Sequence, residues 1–329
     1  MKRLLALFLL LPILARGEEY PAPTTANEVE EFWSTGTLLS PFAYVTPKGY
    51  IDVEPMLFVT RTNGRYDRNW RAQDAPKAVN VNALLVVQIG ITDRIDFQII
   101  PDAFYNHIQG TSSTNFGDLP LGFDFQLLSE KKGEWWPAIK FSIIEIFPTG
   151  KYQRLDPKKN GTDVTGLGAY ATVPFLVFSK RVNLPKPYSL NTYFTLEYLF
   201  APPVHVRGYN TYGGGFGTRG TVRPGNIFTA ILSGELNLTK NWVLVLDIQN
   251  IYGNKSSFSG KHGKNADGTR ASVGAPSFNE LTLAPAIEYN FSAKWGVIAG
   301  AWFAIAGRNT ERFAGGTIAI NWYLNIKQN

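Results

Sequence analysis

Phe194-Thr195-Leu196-Glu197-Tyr198 decides the fold class of this chain, because apolar and polar side chains alternate strictly along it. Successive side chains of a β-strand point to opposite faces, so such a strand has one apolar face and one polar face. The same two-residue period recurs at 96–99, 123–127 and 246–249. The pattern predicts β-strands that separate an apolar environment from a polar one.

Twelve stretches with this period follow residue 48, and each is long enough to cross a bilayer at a tilt, which takes about 9 to 11 residues. They run approximately over 49–61, 79–92, 94–108, 118–130, 134–147, 166–180, 188–202, 226–239, 241–253, 277–292, 295–306 and 312–326. A soluble β-sandwich also alternates, but it does not need strands of this length.

The connections between these stretches are alternately short and mostly long. The short ones lie at 92–94, 129–133, 181–187, 239–241 and 292–294, and the notable long ones at 62–78, 148–165, 204–225 and 254–276. Short periplasmic turns and long outer loops are the rule in bacterial outer-membrane barrels. We therefore predict an all-β fold over residues 49–329, a transmembrane antiparallel β-barrel of about 12 strands with a range of roughly 10 to 14. Both termini are expected in the periplasm.

The first 48 residues fall into two parts. Lys2 and Arg3, an apolar run over 4–14 and Ala15-Arg16-Gly17 predict a cleaved signal peptide over 1–17, and hence export to the outer membrane of a Gram-negative-type envelope. Residues 18–48 are acidic, contain proline and lack a two-residue period. We expect this segment to lie in the periplasm or to plug the barrel.

The composition limits the kinds of catalytic and metal-binding site that the chain can form. The chain has no cysteine, so it has no disulfide framework and no thiolate nucleophile. The three histidines, His107, His205 and His262, fall at strand ends or in long connections and form no spaced metal-binding pair. We predict no cofactor, no metal site, no catalytic residue and no nucleic-acid partner.

The charges separate by position along the chain. The six connections expected outside (61–78, 105–118, 148–165, 204–225, 254–277 and 307–312) hold eighteen Lys or Arg residues and seven Asp or Glu residues, although the whole chain has a net charge of only +6. Basic outer loops bind lipopolysaccharide phosphates or attract anions, and we expect the first more than the second.

Positions on the polar face of the strands carry the opposite charge. This parity predicts ten residues that line the lumen: Asp52, Glu54, Asp96, Asp124, Lys140, Glu197, Glu235, Asp247, Glu280 and Glu288. Grouped carboxylates in such an enclosure either attract cations or form a structural network with Lys140 and the N-terminal segment. The sequence leaves both alternatives open.

Five tryptophans cluster near the strand ends expected in the periplasm. They are Trp135, Trp136, Trp242, Trp295 and Trp322. Aromatic girdles mark the membrane interfaces of such barrels, so we expect these side chains to form one.

Several segments between residues 116 and 250 resemble the bacterial outer-membrane transporters named after the meta-pathway of phenol degradation, relatives of the fatty-acid-transport barrels. The resemblance is carried by Phe116-Gly117-Asp118-Leu119, Pro137-Ala138-Ile139-Lys140, Phe147-Pro148-Thr149-Gly150, Gly166-Leu167-Gly168 and Leu238-Thr239-Lys240-Asn241-Trp242. It implies a barrel that admits small, often hydrophobic or aromatic molecules. Within the motifs, Gly117, Asp118, Pro148, Thr149 and Gly150 are expected to act as turn residues.

The sequence therefore predicts an outer-membrane channel for passive uptake of a small solute. Its expected partners are membrane lipid and lipopolysaccharide, the solute and the barrel-assembly machinery, although the chain ends in Lys327-Gln328-Asn329 instead of an aromatic residue. A structural or adhesive barrel is the alternative. A lipid hydrolase is a weaker one, because it would need His107 close to Ser112 or Ser113.

Overall fold

The computed structural model describes residues 32–131, 133–185 and 187–326, so the predicted signal peptide and residues 18–31 lie outside the described residues. Eighteen strands occupy this part of the chain: β1 (Tyr50–Tyr66), β2 (Ala72–Gln73), β3 (Ala78–Thr92), β4 (Ile95–Ile99), β5 (Asp102–Ile108), β6 (Thr111–Phe116), β7 (Leu119–Leu128), β8 (Ala138–Phe147), β9 (Ala171–Asn183), β10 (Ser189–Leu199), β11 (Val204–Arg207), β12 (Arg219–Arg223), β13 (Ile227–Asn237), β14 (Trp242–Gly253), β15 (Ser257–Lys261), β16 (Phe278–Ser292), β17 (Trp295–Arg308) and β18 (Thr310–Asn325). One three-residue helical turn, Pro157–Lys159, interrupts them, and no helix in the described ranges could span a membrane.

The strands close into a barrel of twelve staves, a stave being one complete crossing of the wall. The order around the wall is β1, β3, β4 with β5, β6 with β7, β8, β9, β10, β13, β14, β16, β17 and β18, and β18 returns to β1. Every pairing is antiparallel, and the closing pair runs from Tyr50 opposite Asn325 to Tyr66 opposite Thr310. The prediction of a closed antiparallel barrel of twelve strands is confirmed.

Two staves are interrupted. Ile100 and Pro101 separate β4 from β5, and proline cannot donate a hydrogen bond to a neighbouring strand. Gly117 and Asp118 separate β6 from β7 in the next stave. The sequence predicted one continuous strand over 94–108, and its break at Ile100 and Pro101 was not anticipated. The strand predicted over 118–130 corresponds to β7, whereas β6 lies in a stretch that was expected to be a connection.

The two edges of the barrel differ. We call the edge that carries Tyr50 and Asn325 the terminal rim, and the opposite edge the loop rim. The connections over 67–77, 148–170, 200–226 and 254–277 are long and lie at the loop rim. Two connections there are tight instead, because Gln109 and Gly110 form a two-residue hairpin with positive φ at both positions, and Asn309 alone joins β17 to β18.

Long connections at the loop rim have structure of their own. β11, β12 and β15 form a separate three-stranded antiparallel sheet. Val204, Val206 and Val222 of this sheet are buried together with Ala169. The stretches 204–225 and 254–276 were expected to be loops, and this sheet was not predicted, because its strands are only four or five residues long.

The outer face of the barrel is apolar. Leu232 is 54% exposed, Ile287 47% and Leu246 44%, although such side chains are usually buried in a water-soluble protein. An outward apolar band on a closed barrel is the surface that contacts lipid. All five tryptophans of the expected girdle are also exposed, and Trp295 stacks on Phe291 at a ring distance of 3.9 Å.

Residues 33–46, which we call the inner segment, lie inside the barrel next to the terminal rim. Leu38 packs among Val243, Val245, Ala284, Ile298 and Ala319 of the wall. On the other side, Ala43 packs against Ala138, Phe175 and Val177. Between the inner segment and β1 the chain passes close to Gly90 of the wall. A side chain at Gly90 would start 1.9 Å from the carbonyl oxygen of Pro47, so only glycine leaves room for the chain there.

Candidate solute pathway

The structure places all ten predicted lumen residues at inward positions of their strands. Seven are at most 9% exposed: Asp52, Asp96, Asp124, Lys140, Glu235, Asp247 and Glu288. Glu54, Glu197 and Glu280 are half-buried. That these residues meet a solute stays a prediction, and their contacts within the protein differ.

Four of the carboxylates form hydrogen bonds with the inner segment. Glu235 accepts a hydrogen bond from Ser34 Oγ at 2.9 Å, and Glu288 accepts one from the amide of Thr35 at 2.6 Å. Asp247 accepts from the amide of Leu38 at 3.1 Å, and Asp96 from that of Thr46 at 2.6 Å.

Backbone amides of an irregular segment need acceptors when they are shielded from water. Asp96, Asp247 and Glu288 supply them, and Glu235 binds the Ser34 hydroxyl of the same segment. They therefore have a structural role, which was one of the two alternatives that the sequence left open.

Lys140 on β8 and Asp124 on β7 form a buried ion pair. Lys140 Nζ lies 3.0 Å from Asp124 Oδ2, and both side chains are fully buried. Asp124 also accepts hydrogen bonds from the amides of Gln98 at 2.7 Å and Gln88 at 3.0 Å. A buried charge is tolerated when it is paired and hydrogen-bonded in this way.

A cavity of about 310 Å³ lies between the inner segment and the barrel wall. Its wall is largely apolar, with side chains such as Met56, Ile144 and Phe175, and the turn of the inner segment over 37–42 closes one side. Glu54 and Glu197 also line it. The cavity has the size and the mostly apolar surface typical of small-molecule sites, which span about 300 to 1,000 Å³.

This apolar lining was not predicted from the sequence. Strand β8 carries Ile143, Ile144 and Ile146, so both of its faces are apolar and its parity gives no inward direction. A strand with two apolar faces was nevertheless the available signal, because such a strand is buried on both sides.

A second cavity of about 380 Å³ lies toward the loop rim. It shares Pro120 and Ile146 with the first, and Asp102, Phe104 and Leu167 also line it. The two cavities are therefore adjacent.

The motif residues hold the loop over 148–170 against this second cavity. Asp118 accepts hydrogen bonds from the amides of Gly150 at 2.9 Å and Leu167 at 2.7 Å, and Thr149 Oγ1 donates to the carbonyl oxygen of Gly117 at 2.8 Å. A side chain at Gly150 would start 2.6 Å from the carbonyl oxygen of Thr165. Pro148 follows directly after β8 and ends it.

An ion pair fastens the same loop. Lys151 Nζ lies 2.6 Å from Asp163 Oδ2, and the side chain of Asp163 is 1% exposed. Burial raises the pKa of Asp163, but hydrogen bonds from Lys151 Nζ and the amide of Asp156 outweigh it. The pKa therefore lies below its usual value of 3.8.

Of the two serines considered for a hydrolase, only Ser112 lies directly opposite His107. His107 stands opposite Ser112 in the pairing of β5 with β6. Ser113 is buried and hydrogen-bonds to Thr162 instead. No hydrogen bond joins His107 to either serine within the described ranges, and no group of three metal-ligating side chains occurs there.

Comparison with known proteins establishes the fold. No family model matches the chain, and no curated protein matches it. Among solved structures, an outer membrane channel from Pseudomonas putida F1 aligns with a TM-score of 0.66 and 14% identity, over 87% of this chain and 100% of that one. The chain thus has the fold of that barrel.

Two further barrels align less well. The beta domain of the Bordetella autotransporter BrkA gives a TM-score of 0.46 at 10% identity, over 84% of this chain and 100% of the other. The monoaromatic hydrocarbon channel CymD gives 0.39 at 8% identity, over 85% and 89%. Neither TM-score reaches 0.5.

Proposed function

We propose that this protein is an outer-membrane channel for passive uptake of small, hydrophobic or aromatic solutes, and not an enzyme. The observation that carries the proposal is the pair of adjacent, largely apolar cavities inside a closed barrel. A purely structural or adhesive barrel has no need of such an interior. The Pseudomonas putida F1 barrel that shares the fold is itself described as an outer membrane channel.

The orientation follows from export. A chain delivered from the periplasm keeps its termini and short turns on that side, which places the loop rim outside. The basic residues of the long connections then meet the phosphates of lipopolysaccharide. The assembly machinery receives the closing strand β18, which ends at Asn325.

The inner segment determines how open the pathway is. It occupies the lumen beneath the first cavity and hydrogen-bonds to strands β4, β13, β14 and β16. A solute that enters from the loop rim therefore reaches this segment before it reaches the periplasm. We propose that the segment restricts passage.

The test compares the mature protein with a variant that lacks residues 18–48, each refolded and inserted into planar bilayers and liposomes. We expect small conductance from the mature protein, a severalfold larger conductance from the variant, and swelling of both kinds of liposome in aromatic solutes. A shift of electrophoretic mobility on heating verifies that each barrel is closed. Closed barrels that neither conduct nor admit any solute would contradict the proposal.

A further inference from the structure

Glu54 and Glu197 differ from the other inward-facing acids of the predicted set. Asp52, Asp96, Asp124, Glu235, Asp247, Glu280 and Glu288 each accept a hydrogen bond from the protein. Within the described residues, no hydrogen bond or ion pair is formed by Glu54 or Glu197. Both line the first cavity.

The barrel order places these two carboxylates on opposite walls. Glu54 lies on β1, the first stave, and Glu197 lies on β10, the seventh of twelve. Between them the cavity surface is mostly apolar, with side chains such as Val86, Ile144 and Val173, and the amides of Gln88 and Gln98 that also reach it are bound to Asp124. The site is therefore an apolar chamber with an acceptor on each side.

A carboxylate that faces a mostly apolar cavity without a protein partner is stabilised by a cation bound there through a charge-assisted hydrogen bond. A hydrocarbon would leave both carboxylates without a partner, and an anion would be repelled by them. An ammonium group on an apolar body satisfies the carboxylate and the apolar wall together.

We propose that this cavity binds small aromatic or aliphatic amines, with the ammonium group on Glu54 or Glu197 and the hydrocarbon body against Ile144, Val173 and Phe175. The assignment rests on the proposed uptake function for the route by which the amine arrives. It adds a substrate class that the fold alone does not define.

Binding is measured on the refolded protein in detergent by calorimetry with three probes of similar size: 2-phenylethylamine, 2-phenylethanol and 3-phenylpropionate. We expect the amine to bind about tenfold more tightly than the alcohol, as for one charge-assisted hydrogen bond, and the anion to be weakest. Glu54→Gln and Glu197→Gln should each weaken amine binding and leave alcohol binding unchanged.

Glu145→Gln is the matched control, because Glu145 is on the outer face of β8 and accepts a hydrogen bond from Thr172. It should bind the amine as the wild type does. Equal affinity for amine and alcohol, no amine binding at all, or full affinity in both cavity variants would overturn the assignment.

Liposome swelling separates this inference from the proposed function. Amine that binds in detergent but does not enter liposomes would contradict uptake and leave the binding site standing. Alcohol that enters as well as the amine, together with equal binding of the two, would overturn the amine site and leave the channel standing.

Discussion

At the scale of single residues, the ion pair between Lys140 and Asp124 places two opposite charges inside the barrel, out of contact with water. Both side chains are fully buried, and Asp96 stands directly opposite Asp124 in the pairing of β4 with β7. Removing one member of a buried pair leaves the other charge without compensation.

We predict that Lys140→Met lowers the free energy of unfolding by about 3 to 5 kcal/mol, measured by urea titration in lipid vesicles. Adding Asp124→Asn to Lys140→Met should restore part of the loss, because the unpaired charge is then removed.

Lys180→Met is the matched control. Lys180 pairs with Glu130 at 2.7 Å, but this pair is partly exposed, so the variant should lose only about 0 to 1 kcal/mol. A loss at Lys140 no larger than at Lys180 would show that the buried pair contributes little.

At the scale of elements, the loop over 148–170 is held by a few polar contacts at the mouth of the second cavity. Asp118 fixes its two ends, and the pair of Lys151 with Asp163 fixes its middle. Because the pKa of Asp163 is lowered in the folded protein, this carboxylate contributes stability above its usual pKa of 3.8 and loses that contribution as the pH falls through its lower folded pKa.

We predict that the hydrogen-exchange protection of this loop is constant between about pH 7 and pH 5 and decreases below about pH 4. Asp163→Asn should show the reduced protection at every pH, because its side chain cannot be ionised. Mass spectrometry of peptides from the loop gives the protection factors.

Asp74→Asn serves as the control, because Asp74 is exposed in the connection over 67–77. It should reproduce the wild-type profile. Wild-type protection in Asp163→Asn at neutral pH would show that the ion pair does not hold the loop.

Strands with one apolar face could be predicted from the sequence, and strands with two apolar faces could be located but not oriented. The stretch over 194–198 lies in β10 with Thr195 and Glu197 inward, as its parity indicates. The two-residue period does not show which face points inward where both faces of a strand are apolar, as at Ile143 and Ile144. The apolar cavity was missed for that reason.

Other differences arise from contacts that the two-residue period does not describe. The predicted strand over 166–180 begins only at Ala171, because the amide of Leu167 is bound to Asp118. The predicted strand over 134–147 begins at Ala138, after Trp135 and Trp136 stack on one another at 4.0 Å. Neither partner can be read from the local period.

At the scale of the whole molecule, the tryptophans define where the barrel sits in the bilayer. Trp242 and Trp295 begin their strands at the terminal rim and are 43% and 37% exposed. Trp302 lies on the inward face, where its indole N–H donates to Thr282 Oγ1 at 3.0 Å. The first two should contact lipid headgroups, and the third should not.

We predict that a quencher attached near the lipid headgroup reduces the fluorescence of the wild type more than that of Trp242→Phe or Trp295→Phe. Trp302→Phe should be quenched at least as strongly as the wild type, because it removes an indole that lipid does not reach. Loss of quenching in Trp302→Phe alone would place the girdle elsewhere.

The inner segment also affects how the barrel folds. It precedes every strand that it contacts, and its amide at Thr35 bonds to a carboxylate 253 residues later. Contacts so distant in sequence form slowly. The segment is thus available as a template on which the later strands can assemble before β18 pairs with β1. Each of these strands contributes a carboxylate that binds the segment. A barrel closed without it would trap those carboxylates unbonded, so we expect the refolding rate, and not only the finished pore, to depend on residues 33–46.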